Sequence, residues 1–233
     1  MEKYIKSLIL YILILSCSST ETQNSITPDN MNLNNPKRTF LALGDSYTIG
    51  EGVDEKDRWS MQLIDLLKIN LNFIKHDIVA RTGWTTSELT QAIEARKLNE
   101  QYDMVSLLIG VNNQYRGQSL DNYRVEFKEL LNISIKFAKN DAKKVIVLSI
   151  PDWGKTPFAR GQDTQKIASE INMFNNVAKE ECKKANIVFI DITEITRKNA
   201  DASMFANDGL HYAGKMHRLW AMETLGIVSE ILQ

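Results

Sequence analysis

Three side chains able to combine in acyl transfer lie far apart in the chain: Ser46, near the start, and Asp208 and His211, near the end. Ser46 closes the run FLALGDS, residues 40–46, in which an apolar stretch breaks at Gly44-Asp45-Ser46. A serine hydroxyl is a weak nucleophile until a base takes its proton and a third group orients that base. The chain has three histidines. His76 opens a strand candidate and is expected at the surface. His217 falls within the last helical pattern, as a solvated or partly packed imidazole. His211 lies in NDGLHYAG, three residues after Asp208. On a turn, that spacing lets a carboxylate fix the imidazole tautomer and leaves the other ring nitrogen free to accept a proton. Two alternatives stand beside this reading. Asp208 can instead cap the following helix, and Asp191, at the end of an apolar run, competes as the orienting carboxylate.

An acyl-transfer site also needs donors where negative charge develops. The backbone N–H of Ser46 is one candidate. Gly83 follows a strand candidate and lets the backbone approach a ligand, and Asn112 carries an amide that donates without titrating. Taken singly, Gly83 is equally a turn former and Asn112 a strand-end cap. The histidines are scattered and Cys182 is remote from any ligand cluster, so no metal site and no cofactor is expected.

Positioning these groups requires a scaffold that gathers distant segments at one edge. Apolar runs at 39–43, 104–110, 144–150 and 187–192, with a shorter one at 77–81, read as strands. Between them lie helical patterns: Trp59, Leu63, Leu66 and Leu67; a polar helix over 86–96; Leu120, Tyr123 and Phe127 onward; 167–185; and a final helix with Met216, Leu219, Trp220, Ile227 and Ile231. Strands this apolar are covered on both faces, and strand–helix alternation implies a parallel sheet. The expected fold is a three-layer α/β/α sandwich around a five-stranded parallel sheet, flavodoxin-like in class. Such sheets bind ligands beyond the carboxyl ends of their strands. Gly44-Asp45-Ser46, Arg81-Thr82-Gly83 and Gly110-Val111-Asn112-Asn113 all fall there. Cys182 sits on the apolar stripe of its helix and reads as a small buried hydrophobe.

GDS at 44–46, Gly83, GVNN at 110–113 and DGLH at 208–211 resemble, in order, the blocks of the SGNH/GDSL hydrolase family. The resemblance spans residues 37–233. It implies Ser46 as nucleophile, the Ser46 amide, Gly83 and Asn112 as the oxyanion hole, His211 as base and Asp208 as its orienting acid. It implies that Asp45 braces the turn, and it implies ester substrates: short-chain acyl esters, lysophospholipids, thioesters or acetylated sugars. Two positions depart from the family pattern: Tyr47 replaces a frequent leucine, and Asn113 replaces a usual aspartate, with loss of a charge. Asn113, Tyr115 and Trp153 are the expected substrate-binding residues, with Phe158 a further candidate. Arg116 borders the same region, either on substrate or paired with an acid. A different class remains open, a non-catalytic flavodoxin-like ligand binder or adhesin. However, the GDSYTIGEG segment lacks both the phosphate-loop and the dinucleotide glycine patterns.

A net charge of −1 gives no electrostatic reason to expect nucleic acid as a partner. The first 16 residues carry Lys3 and Lys6 before an apolar run and a small residue, the pattern of an export signal. That run is too short for a permanent span. Ile14-Leu15-Ser16-Cys17 resembles a bacterial lipoprotein box, with Cys17 as the lipidated residue. Residues 17–36 then read as a polar tether. The expected location is the cell envelope, lipid-anchored, or otherwise periplasmic or secreted. Only Cys17 and Cys182 are present; if Cys17 carries lipid, Cys182 has no internal partner and the fold cannot depend on a disulfide.

Overall fold

The computed structural model describes residues 35–233. The export signal, Cys17 and nearly all of the tether lie outside the described residues. Five strands form: β1 (Lys37–Gly44), β2 (Asn72–Ala80), β3 (Met104–Leu108), β4 (Val145–Leu148) and β5 (Val188–Ile190). They pair in one sheet, order β2-β1-β3-β4-β5, with every pairing parallel. The expected α/β/α fold with a five-stranded parallel sheet is the one observed.

The described α-helices are α1 (Ser46–Ile49), α2 (Trp59–Leu67), α3 (Thr86–Arg96), α4 (Val111–Tyr115), α5 (Leu120–Phe137), α6 (Thr164–Ala185), α7 (Thr193–Lys198) and α8 (Gly214–Leu232), with short 3-10 turns between them. The sheet order dictates their sides. The step from β1 to β2 runs one way across the sheet and the later steps run the other, and parallel crossovers are right-handed. The α2 crossover is thereby set on the opposite face from α3, α5 and α6. Consistently, α2 packs on α8, whereas α5 packs on α3 and α6. Phe40, Leu41, Ala42 and Leu43 of β1 have no exposed surface, as a central strand covered on both sides requires.

Register aligns the functional ends. Gly44 pairs with Ala80 on one side and with Leu108 on the other, so the loops after β1, β2 and β3 leave the sheet side by side. A Cβ at Gly44 would lie 2.2 Å from Thr48 Oγ1 and 2.3 Å from the Leu108 carbonyl oxygen, so only glycine permits this turn.

Three sequence expectations need correction here. β2 is longer than 77–81, beginning at Asn72; the half-buried Lys75 and His76 mark an edge strand whose polar residues interrupt the apolar pattern. His76 is not a free surface residue: its ring stacks on Phe40 at 4.9 Å and its Nδ1 lies 3.2 Å from Met61 Sδ. His217 is neither solvated nor partly packed but buried, and its Nδ1 accepts the backbone N–H of Trp59 at 3.0 Å. The imidazole thus satisfies a donor of the first turn of α2, where Arg58 offers no side-chain cap. The short helices α4 and α7 have no counterpart in the sequence reading. Cys182 is fully buried as expected, and burial raises its thiol pKa to about 12. No described helix is long and apolar enough to cross a membrane.

Candidate active site

The turn after β1 is built to present Ser46. Asp45 caps α1, its Oδ1 accepting the Tyr47 N–H at 3.0 Å. Its Oδ2 is buried without a partner among the described residues. Burial pushes the Asp45 carboxyl up to about 7, against the lowering effect of the backbone donors around it. Ser46 stands at the first position of α1, 5 % exposed, and its hydroxyl makes no hydrogen bond to any described residue.

Asp208 and His211 meet as their spacing predicts. His211 Nδ1 lies 2.6 Å from Asp208 Oδ2, and Asp208 Oδ1 accepts the backbone N–H groups of Leu210 and His211, each at 2.9 Å. Partial burial raises the Asp208 carboxyl, but these three hydrogen bonds outweigh it and hold the group below its ordinary value. The carboxylate therefore stays ionised against the ring, and the ring side chain is 10 % exposed. The competitor Asp191 is elsewhere: its Oδ1 accepts from Ser149 Oγ and the Thr193 N–H, beyond β5.

Ser46 and His211 line one cavity of about 150 Å³, together with Asn112, Tyr47, Val111 and Leu210 and the aromatic side chains of Tyr115, Trp153 and Phe158. No Ser46–His211 hydrogen bond forms among the described residues; in unliganded sites this contact is often long. Asn112 Nδ2 donates to the Trp84 carbonyl at 2.9 Å, which leaves its second amide hydrogen without a protein acceptor among the described residues.

Gly83 does not line the cavity itself. It sits beside it on a loop held by α4 and the residue that follows. Arg116 Nη2 donates to the Gly83 carbonyl at 2.5 Å, and its Nη1 reaches Glu88 Oε2 at 3.2 Å. Gly83 has φ +87°, a left-handed conformation that disfavours a side chain. Arg116 is thus paired with an acid and a carbonyl of this loop.

Asn113, expected to bind substrate, does not reach the cavity; it is fully buried. Its Oδ1 accepts the Thr86 N–H at 3.1 Å, and its Nδ2 donates to Thr86 Oγ1 at 2.6 Å and to Gln118 Oε1 at 2.8 Å. Thr86 Oγ1 in turn donates to Glu126. The carboxylate of this cluster stands at Glu126, which is how a neutral residue at 113 still has its hydrogen bonds satisfied. Asn112, Asn113 and Arg116 thereby fasten loop 83–86 at three points.

The cavity wall is equally well fixed. Trp153 is 4 % exposed and its Nε1 donates to Gln114 Oε1 at 2.8 Å. The preceding Asp152 is buried and bonded to Arg197 Nε at 2.7 Å and the Gly154 N–H at 2.9 Å, and its carbonyl accepts from Tyr212 Oη at 2.6 Å. Tyr115 packs edge-on to Trp153 at 5.4 Å and Phe158 lies 6.1 Å from it; both are exposed at the rim. The signals for Asn113 and Gln114 as supports were absent from the sequence, because Thr86 and Trp153 lie 27 and 39 residues away. Among the described residues no cluster of His, Cys, Asp and Glu could hold a metal ion.

A parallel α/β/α sheet that gathers a serine turn, an asparagine loop and an aspartate–histidine turn at one edge defines a class of hydrolase. The GDSL-like lipase/acylhydrolase family model matches residues 42–219, and the chain belongs to that family of ester hydrolases. Solved structures share the fold. An acetylxylan esterase from Geobacillus stearothermophilus, Axe2, superposes with a TM-score of 0.65 at 18% identity, covering 83% of this chain and 95% of that one. The psychrotrophic esterase EstA from Pseudoalteromonas sp. gives 0.64 at 17% identity, with 84% and 98% covered. A lipase/acylhydrolase from Enterococcus faecalis gives 0.62 at 22% identity, with 84% and 95% covered. No curated protein was found to match the sequence.

Proposed function

We propose that the protein hydrolyses small acyl esters through a covalent acyl-enzyme on Ser46. His211 accepts the Ser46 proton as Oγ bonds to the ester carbonyl carbon, and Asp208 stabilises the imidazolium so formed. The tetrahedral oxyanion is held by the Ser46 N–H, the Gly83 N–H and the free amide hydrogen of Asn112. The carbon–oxygen bond to the leaving alcohol then breaks and His211 returns the proton to that oxygen. Water, deprotonated by the same imidazole, releases the acid and restores Ser46.

The observation that carries this reading is the 2.6 Å contact of Asp208 with His211 on the cavity that Ser46 also lines. The wall is mainly apolar and the cavity is about 150 Å³, a volume that holds a benzene-sized group, so an acyl chain of up to about six carbons fits. An acetylxylan esterase of the same fold supports the short-acyl end of that range. The test is a panel of p-nitrophenyl esters from acetate to laurate. Highest kcat/KM at two to six carbons is expected, with turnover abolished in Ser46→Ala. A maximum at ten carbons or more, or undiminished turnover in that variant, refutes the reading.

We also propose that the protein is exported and carries lipid on Cys17. Replacement Cys17→Ala should move it from the membrane to the soluble fraction; unchanged membrane recovery contradicts the anchor.

A further inference from the structure

Tyr47 is the residue of the cavity whose chemistry the mechanism above leaves unused. Its side chain is almost entirely enclosed, with 2 % of the residue exposed, and it lines the same cavity as Ser46 and His211. The ring is clamped by aromatic contacts: edge-on to His211 at 6.0 Å, tilted on Tyr212 at 6.2 Å and edge-on to Trp220 at 6.0 Å. Its hydroxyl nevertheless makes no hydrogen bond with any described residue. Tyr123, similarly buried, gives its hydroxyl to the Ile109 carbonyl, and Tyr212 gives its own to the Asp152 carbonyl. Burial first, and then Tyr212, Asp45, Asp152 and Asp208 nearby, keep the Tyr47 phenol protonated, so it is available as a donor.

The hydroxyl oxygen is not itself sealed off: although the residue is buried, this atom opens on the cavity. In the open cavity water can serve. A bound ester expels that water, so the hydroxyl must then find a partner on the ester or lose one. Its place relative to the chemistry says which part of the ester is concerned. The leaving oxygen has to lie within hydrogen-bond reach of His211, which protonates it. Tyr47 packs against His211, and the oxyanion donors Gly83 and Asn112 belong to the other loops. Of the other lining residues Leu210 and Val111 are apolar, and the Tyr115 hydroxyl belongs to an exposed rim residue.

Resting on the esterase reading, we infer that Tyr47 is a specificity-determining residue whose hydroxyl hydrogen-bonds an oxygen of the leaving alcohol, making esters of polyols the preferred substrate class. A site built around such a bond discriminates against the analogue lacking the oxygen, because its own polar group is then left unpaired.

Glyceryl monobutyrate and n-propyl butyrate share an acyl group and a three-carbon alcohol, and differ only in two hydroxyls. The wild type should favour the glyceryl ester in kcat/KM by at least about tenfold. Tyr47→Phe, which keeps the ring contacts, should bring that ratio to within about threefold of unity, with its thermal midpoint measured alongside. A wild type that hydrolyses both esters without preference, or prefers the propyl ester, overturns the inference without needing the variant. So does a folded Tyr47→Phe whose ratio is unchanged. Failure to hydrolyse either ester is instead a failure of the esterase reading, so the two are told apart.

Discussion

Replacing Asp208 by asparagine removes one charge and one acceptor while preserving shape, and the structure sets the size of the effect. Asp208 Oδ1 accepts two backbone N–H groups at 2.9 Å, so the amide oxygen of an asparagine must take that position. The NH2 group then faces His211 Nδ1, where a carboxylate oxygen now sits at 2.6 Å. A donor there pairs only with an unprotonated Nδ1, which moves the ring proton to Nε2 and turns the base toward Ser46 as a donor. Flipping the amide would instead set its NH2 against two N–H donors. Either arrangement costs about 2 kcal/mol. Losing the charge beside the imidazolium adds a second cost. A pair about 4 Å apart is worth ~1 kcal/mol in water and ~4 kcal/mol at an effective dielectric of 20. The Asp208 side chain is 41% exposed, so solvent screening places the loss near ~2 kcal/mol. The sum, about 4 kcal/mol, is a fall in kcat of about 10³. That is smaller than the ~10⁴ seen where a triad carboxylate is buried. The assay is steady-state hydrolysis of p-nitrophenyl acetate at pH 7–8, with KM expected within about threefold of wild type. A kcat loss below about tenfold in a folded Asp208→Asn protein would refute the role given to the carboxylate.

Asn112→Ala should lower kcat by roughly 10²–10³ with little change in KM, as for a lost oxyanion donor; a pure KM effect would make Asn112 a uniform binding contact. Asn113→Asp removes two buried donors and sets a second carboxylate near the hydroxyl that Glu126 already accepts from, so it should cost about 2 kcal/mol in urea unfolding. An Asn113→Asp midpoint at or above wild type contradicts the network. Burial lowers the pKa of His76 to about 4 and of His217 to about 3, so both take up a proton on unfolding below pH 6.5, whereas Asp45, raised to about 7 by its burial, releases one. The net uptake of one proton predicts that stability falls by about 1.4 kcal/mol per unit as pH drops from 6 to 5. In His217→Gln the uptake and release cancel and the slope should vanish; an unchanged slope in that variant refutes the assignment.

The central scaffold was legible because strands covered on both faces leave long apolar runs, and β1 and β3, the latter broken only by the buried Ser106, are such strands. β2 was read too short because its edge position mixes Asn72, Lys75 and His76 into the pattern, and α4 and α7 are too short to show any period. The candidate site divides in the same way. Asp208 and His211 are three residues apart, so their contact could be read locally. The Ser46 turn was marked by the break of an apolar run, and Gly44 is forced by two close approaches. The support given by Asn113 to Thr86, and by His217 to the first turn of α2, depends on segments brought together only by the fold. An asparagine and a histidine carry no local sign of that. The same holds for the Tyr47 hydroxyl, which makes no hydrogen bond with any described residue.

Incubation with a fluorophosphonate, followed by peptide mass spectrometry, asks most directly whether this imidazole activates this alcohol. One adduct on Ser46 is expected in the wild type, with labelling slowed at least about 10³-fold in His211→Ala. Labelling of Ser46 at an equal rate in folded His211→Ala, or an adduct on another residue alone, would contradict the pairing of the two.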